Sequence, residues 1–130
     1  MPPRPRADYA LLTVLEHLGT DPDALNAEWA DFVGDESTVH AFEVPTGAPT
    51  DAYVELQAYD VGSFGHEILI NGEALTGFDV PPASGWQQWM DAVTGASIRQ
   101  GENTLQVVRG PERDEFAVGN VVVHWRDGSR

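Results

Sequence analysis

A chain of 130 residues, 42% of them hydrophobic and with Trp, Tyr and Phe spread along it, can close around one core without disulfides or metals. It has no cysteine, no apolar run near the roughly 20 residues of a spanning helix and no signal-type apolar core after Met1, so the expectation is one soluble cytoplasmic domain over residues 1–130, with 1–7 and 127–130 as loose termini. Its 21 Asp and Glu against seven basic residues leave a net charge of −14, a field that excludes nucleic-acid backbones and anionic membranes as partners.

Residues 9–18 fit either a helix, capped by Asp8 and ended by Gly19, or a strand followed by a turn. The strand is favoured, because a domain with this many strands recruits its N-terminus. Asp21-Pro22 then opens a short helical turn over 22–27, with the aspartate as cap and the proline in the first helical position. Residues 38–44 read as a strand, and Pro45, Gly47 and Pro49 punctuate the loop after it.

In residues 53–59, Val54, Leu56 and Ala58 alternate with Tyr53, Glu55, Gln57 and Tyr59, the period of a strand buried on one face. Residues 66–70 form a further β-rich run. Asn71-Gly72 after it is a two-residue hairpin signal, since both residues tolerate positive φ, and the returning strand is expected over 73–79. Trp86, Trp89, Met90 and Val93 stand at i, i+3, i+4 and i+7, which predicts a short helix capped by Ser84, with an extended edge segment as the alternative. Two strands, at 103–109 and 116–126, close the chain.

Short strands at near-regular spacing between Gly and Pro turns predict an all-β fold, an antiparallel β-sandwich with one or two short helical segments. The succession YVELQAYDV, HEILING, IRQGENTLQVV and FAVGNVVVHW, within residues 53–125, resembles the galactose-binding-like jelly roll of many carbohydrate-binding and glycosidase accessory modules. The residues that carry this likeness are structural, so it implies a fold and not a ligand. Through Asp60-Val61-Gly62, Gly65-His66, Ile70-Asn71-Gly72 and residues 86–91, the chain also resembles a haloarchaeal family of small acidic proteins of unassigned function.

Catalytic signals are missing. Gly62-Ser63-Phe64-Gly65 has the wrong spacing for a nucleophile elbow, phosphate-cradling glycine motifs are absent, and His17, His40, His66 and His124 are scattered without metal-chelating spacing. Asp60, Asp79, Asp114 and Glu115 fall in or beside loops, where a glycosidase pair would sit, but 21 acids place some there by coincidence. A calcium site built from Asp60 or Asp114 with loop carbonyls is the one metal arrangement left open. No catalytic residue, metal ligand or cofactor is assigned, and a non-enzyme is expected.

Aromatic residues are the better lead, because sugar rings stack on exposed Trp and Tyr faces while polar side chains hold the hydroxyls. Tyr59, Asp60, Phe64, His66, Trp86, Gln87 and Trp89 are the candidate ligand-binding residues, gathered at the sandwich end made by segments 60–65 and 81–89. The plainer reading is that Trp86 and Trp89 pack inward, as Trp29 and Trp125 are expected to, that Asp60 caps its turn and that His66 is structural. Two functions follow. One is a non-catalytic module for carbohydrate or a glycosylated partner, and the other is a protein-interaction or assembly role, homo-oligomerisation included, using a sheet face or the Trp86 region. The acidic field favours a neutral or cationic ligand.

All seven basic residues are Arg, and lysine is absent. Dispersed carboxylates without lysine match salt-in halophiles, where molar salt screens self-repulsion and strengthens the association of exposed alkyl stems such as lysine's. The thermal midpoint is therefore expected to climb as potassium chloride rises from about 0.1 M to about 2 M, over which the Debye length falls from roughly 10 Å to below roughly 3 Å. A flat midpoint across that series removes the salt-adaptation argument.

Overall fold

The computed structural model describes residues 6–77, 79–110 and 114–128. Among them all regular structure is β: β1 (Arg6–Leu12), β2 (Glu16–Leu18), β3 (Asp31–Gly34), β4 (His40–Val44), β5 (Pro49–Val61), β6 (Glu67–Ile70), β7 (Glu73–Ala74), β8 (Ala83–Ala92), β9 (Gly101–Val108) and β10 (Phe116–Asp127). One six-stranded sheet runs β3-β2-β10-β5-β8 with β1 also paired to β10, and a four-stranded sheet runs β4-β9-β6-β7. Pairing is antiparallel except between β2 and β3, which are parallel. No helix is long and apolar enough to cross a membrane among these residues.

Period-two patterning puts the core between the sheets. Val54, Leu56 and Ala58 of β5 and Val118, Val121, Val123 and Trp125 of β10 face Phe42 and Val44 of β4, Ile68 and Ile70 of β6, and Leu105 and Val107 of β9 in one buried cluster. The tryptophan expectation divides here: Trp125 is buried, whereas Trp29 is exposed. Arg6 and Ala7 pair with Asp127 and Arg126, so the sheet extends into segments expected to be loose tails. Residues 1–5 and 129–130 of those tails lie outside the described residues.

The two expected helical segments are not helices. Residues 83–92 form β8, which pairs with β5 from Tyr53↔Ala92 to Val61↔Ala83. The Trp86, Trp89 and Met90 spacing fits a helical stripe, but eight ladder pairs with β5 outweigh a weak local preference, and Gly85 at φ 74 interrupts any helix there. At 22–27 the capping aspartate is real and the helix is not. Asp21 Oδ1 accepts from Asp23 N at 2.9 Å and its carbonyl accepts from Ala24 N at 3.1 Å, after which Leu25 and Ala27 drop into a small cluster on Ala117. The chain turns away to bury that pair instead of winding on.

The Asn71-Gly72 turn forms as expected, with φ of 52 and 81. Its returning strand is only β7, because the chain bends at Thr76-Gly77, where Thr76 N donates to Thr94 O at 2.8 Å. Phe78, part of the expected strand, lies outside the described residues. The turn is locked from below by fully buried Asn103, whose Oδ1 accepts from Asn71 Nδ2 and Arg99 N, each at 2.9 Å, and whose Nδ2 donates to Arg99 O at 2.8 Å. Asn103→Ala strands these groups without partners and is expected to cost roughly 2–4 kcal/mol in denaturant unfolding. A loss under about 0.5 kcal/mol, the size of an ordinary surface change, contradicts this role.

Candidate functional site

Since Val54, Leu56 and Ala58 point inward, the alternate residues Tyr53, Glu55, Gln57 and Tyr59 of β5 project from the outer face of the larger sheet. The register sets their neighbours. Trp86, Gln88 and Met90 of β8 lie opposite Tyr59, Gln57 and Glu55, and on the other side Val122 and His124 of β10 lie opposite Glu55 and Tyr53. Leu11 and Tyr9 of β1 continue the rows beyond Val122 and His124.

At one end three aromatic rings meet. Trp29, carried by the connection between β2 and β3, stands edge-on to Tyr59 at 5.2 Å and 82°, and Trp86 lies 5.4 Å from each of them. Trp86 is 50% and Trp29 44% exposed, so the cluster is a surface feature with open ring area. Trp86 reaches across its sheet because β10 has a bulge between Val118 and Val121 that places a glycine beneath the indole. A Cβ on Gly119 would lie 2.8 Å from Trp86 Cζ3 and 3.1 Å from Gln57 Cβ.

Beside the cluster the face is hollowed. Depressions of about 450 Å³ and 260 Å³ both border Trp86 and Gln57, and a third of about 170 Å³ joins Gln57 to Leu11, Glu55 and Asn120. Gln57 is exposed and its amide has no hydrogen-bond partner among the described residues. Asn120 accepts from Val14 N at 3.2 Å through Oδ1, leaving its NH₂ for a ligand. Gln88 Nε2 donates to Glu55 Oε2 at 2.6 Å. Glu55 Oε1 lies 2.9 Å from His124 Nε2, a close electrostatic contact whose angles are not those of a hydrogen bond. At the far end Tyr53 stacks on His124 at 4.3 Å and 8°.

The residues singled out from sequence are split by the fold. Tyr59 and Trp86 come together, but Trp89, opposite Leu56, is on the inward side of β8, at the rim and 38% exposed. Neither tryptophan is core, against the plainer expectation, because β8 is the sheet's edge strand. Gln87 shares that inward side and clamps the loop before it by donating to Pro81 O at 2.7 Å. Asp60, at φ 55, accepts from Gly85 N at 2.6 Å and ties β5 to β8; it also borders a separate 460 Å³ hollow with Gly62, Ser84 and Glu115. Phe64 is 58% exposed on its loop, with no ring contact to the cluster among the described residues. Trp29, expected in the core, joins the site instead, and Gln57, Gly119 and Asn120 carry no sequence signal for it: no local pattern sends the β2–β3 connection over Tyr59.

His66 is buried and fully engaged. Its Nδ1 accepts from Gly110 N at 2.9 Å, which leaves Nε2–H to donate to Asp114 Oδ2 at 2.7 Å. Asp114 also accepts from Gly62 N at 3.0 Å and Ser63 N at 3.2 Å. The N–H donors around the Asp114 carboxylate form an anion cradle, which does not suit Asp114 as a calcium ligand. Among the described residues no group of three or more His, Cys, Asp or Glu is placed to hold a metal ion.

A family model described as a family of unknown function (DUF7383) matches residues 6–127. The chain belongs to this DUF7383 family. Among curated proteins no match is found. Two solved structures share the fold at low identity. One is a family 35 carbohydrate binding module from Clostridium thermocellum, 12% identical with a TM-score of 0.50, covering 93% of this chain and 98% of that one. The other is the GH26-CBM35 β-(1,4)-mannanase of Podospora anserina, 11% identical with a TM-score of 0.51, where 97% of this chain corresponds to 28% of the enzyme.

For this DUF7383 chain, Gly119→Ala is expected to leave the sheet folded, at a cost of about 1 kcal/mol, while displacing the indole of Trp86. Near-ultraviolet circular dichroism, which reads the coupling of Trp29, Tyr59 and Trp86, should change. An unchanged spectrum contradicts the seating of Trp86 on Gly119.

Proposed function

We propose that this protein is a non-catalytic carbohydrate-binding module that holds glycan on the outer face of its larger sheet. The observation that carries the reading is the exposed Trp29–Tyr59–Trp86 cluster, which borders through Trp86 on hollows lined by Gln57, whose amide is unpartnered among the described residues. Aromatic faces match the apolar faces of pyranose rings, and an amide that both donates and accepts suits hydroxyls. The likeness to carbohydrate binding modules supports the reading at the level of architecture. The acids suggested by position for catalysis support it too, since Asp60, Asp79 and Asp114 are occupied with backbone N–H groups. The missing lysine keeps a halophilic archaeon as the proposed source.

Trp86→Ala is expected to lower affinity for polysaccharides in a gel-retardation panel by about tenfold or more, with secondary structure retained. Unchanged retardation, or none for the parent protein on any glycan, sinks the proposal. A second reading rests on β8, a ten-residue strand whose outer edge is unpaired among the described residues and which exposes Trp89 and Met90. It is assembly through that edge. Light scattering in high salt decides it: a dimer that Met90→Lys converts to monomer favours assembly, and a monomeric parent protein removes it.

A further inference from the structure

Taking the outer face as the glycan surface, as proposed above, we infer that it receives an extended, uncharged polysaccharide chain lying obliquely across the sheet, not a single terminal sugar or an acidic one.

Length is the first ground. The aromatic groups of this face stand in two places. Trp29, Tyr59 and Trp86 form one, and Tyr53 stacked on His124, with Tyr9 tilted at 6.2 Å from the same imidazole, forms the other. Tyr59 and Tyr53 are six residues apart on one strand, about 20 Å at a rise of roughly 3.3 Å per residue. A single sugar does not reach from one to the other.

Continuity is the second. Three hollows lead from the first place to the row of Leu11, Val122 and Glu55, next to the row of Tyr9, His124 and Tyr53; all border Gln57, and each adjoining pair shares another wall, Trp86, Gln88 or Asn120. They make one shallow track from β8 across β5 and β10 toward Leu11 of β1. Its middle is lined by amides, and those of Gln57 and Asn120 keep hydrogen-bonding capacity for hydroxyls along a chain. The track is open along the face, so a polymer can enter mid-chain without presenting an end.

Charge is the third. Among the described residues no Arg lines these hollows, and the one carboxylate that does, Glu55, is held between Gln88 Nε2 and His124 Nε2. A uronate placed here meets Glu55 and a molecule of net charge −14 with no guanidinium to receive it. A neutral sugar meets no such cost.

Isothermal titration with manno-, cello- and xylo-oligosaccharides from disaccharide to hexasaccharide, and with oligogalacturonides of matched length, reads both properties. Salt screens the charge effect, so the titrations use the lowest concentration that keeps the fold. Affinity for at least one neutral series is expected to climb with each added sugar until both aromatic ends are covered, and matched uronates should bind at least tenfold more weakly. Tyr53→Ala should lower hexasaccharide affinity several-fold and leave disaccharide affinity unchanged, whereas Trp86→Ala lowers both. Tyr9→Ala, at a 63% exposed position, gives the same reading at the far end if Tyr53→Ala does not fold. Disaccharides binding as tightly as hexasaccharides, or uronates matching neutral chains, overturn this inference and leave glycan binding standing. Absence of binding to every oligosaccharide and polysaccharide overturns both.

Discussion

Strand β10 is hydrogen-bonded to β5 along one edge and to β1 and β2 along the other, and this pairing decides which side chains can meet. With β5 and β10 in register, one set of alternate residues builds the core and the other is delivered to solvent as a patterned surface. Most of Val54, Leu56, Ala58, Val118, Val121, Val123 and Trp125 is inside because the two-residue period leaves them nowhere else. The same period obliges Tyr53, Gln57 and Tyr59 to stand outside. Of the two irregularities in this pairing, the bulge at Gly119-Asn120 opens space for the Trp86 indole and turns an amide toward the hollows, and the other falls between His124 and Arg126. A slip of one residue would bury Gln57 and expose Leu56, so the fold and the candidate site stand on one constraint.

Around this frame the loops are fastened by a particular chemistry. Each of the four histidines lies against a carboxylate: His17 with Glu115 at 2.8 Å, His40 with Glu16 at 3.0 Å, His66 with Asp114 at 2.7 Å and His124 with Glu55 at 2.9 Å. In a chain with seven Arg and no Lys, ordinary ion pairs are scarce. At His17, His40 and His66 a charge-assisted hydrogen bond between imidazole and carboxylate does the fastening instead, while His124 lies close to Glu55 without one. Glu115 shows the effect, since it also accepts from Thr20 N at 2.7 Å and so joins the start of β10 to the loop that leads toward Trp29. Acidic residues elsewhere keep the surface hydrated, while the candidate site is lined mostly by amides and rings.

Much of the fold was legible because it is written locally. Alternation in residues 53–59 and 103–109 and the Asn71-Gly72 turn each follow from neighbouring residues alone. The segment 86–93 was misread because Trp86, Trp89 and Met90 satisfy a helical stripe as well as an edge strand, and only pairing with β5 chooses between them. That choice also separates Trp86 from Trp89, so a candidate site that grouped them was only partly assembled. His66 and Asp114 are 48 residues apart, and nothing near either announces that the pair is a buried latch. The space above Gly119 is likewise a tertiary property, one no spacing rule supplies.

The four tryptophans are reporters placed by the fold itself: Trp29 and Trp86 in the cluster, Trp89 on the opposite side of the same edge strand, and Trp125 in the core. The most direct test of the central claim is a nuclear magnetic resonance titration of their indole N–H signals with a soluble neutral polysaccharide. Glycan bound on the outer face shifts Trp29 and Trp86 and leaves Trp125 and Trp89 in place. Shifts confined to Trp89, or no shift at any of the four at saturating polysaccharide, contradict the account.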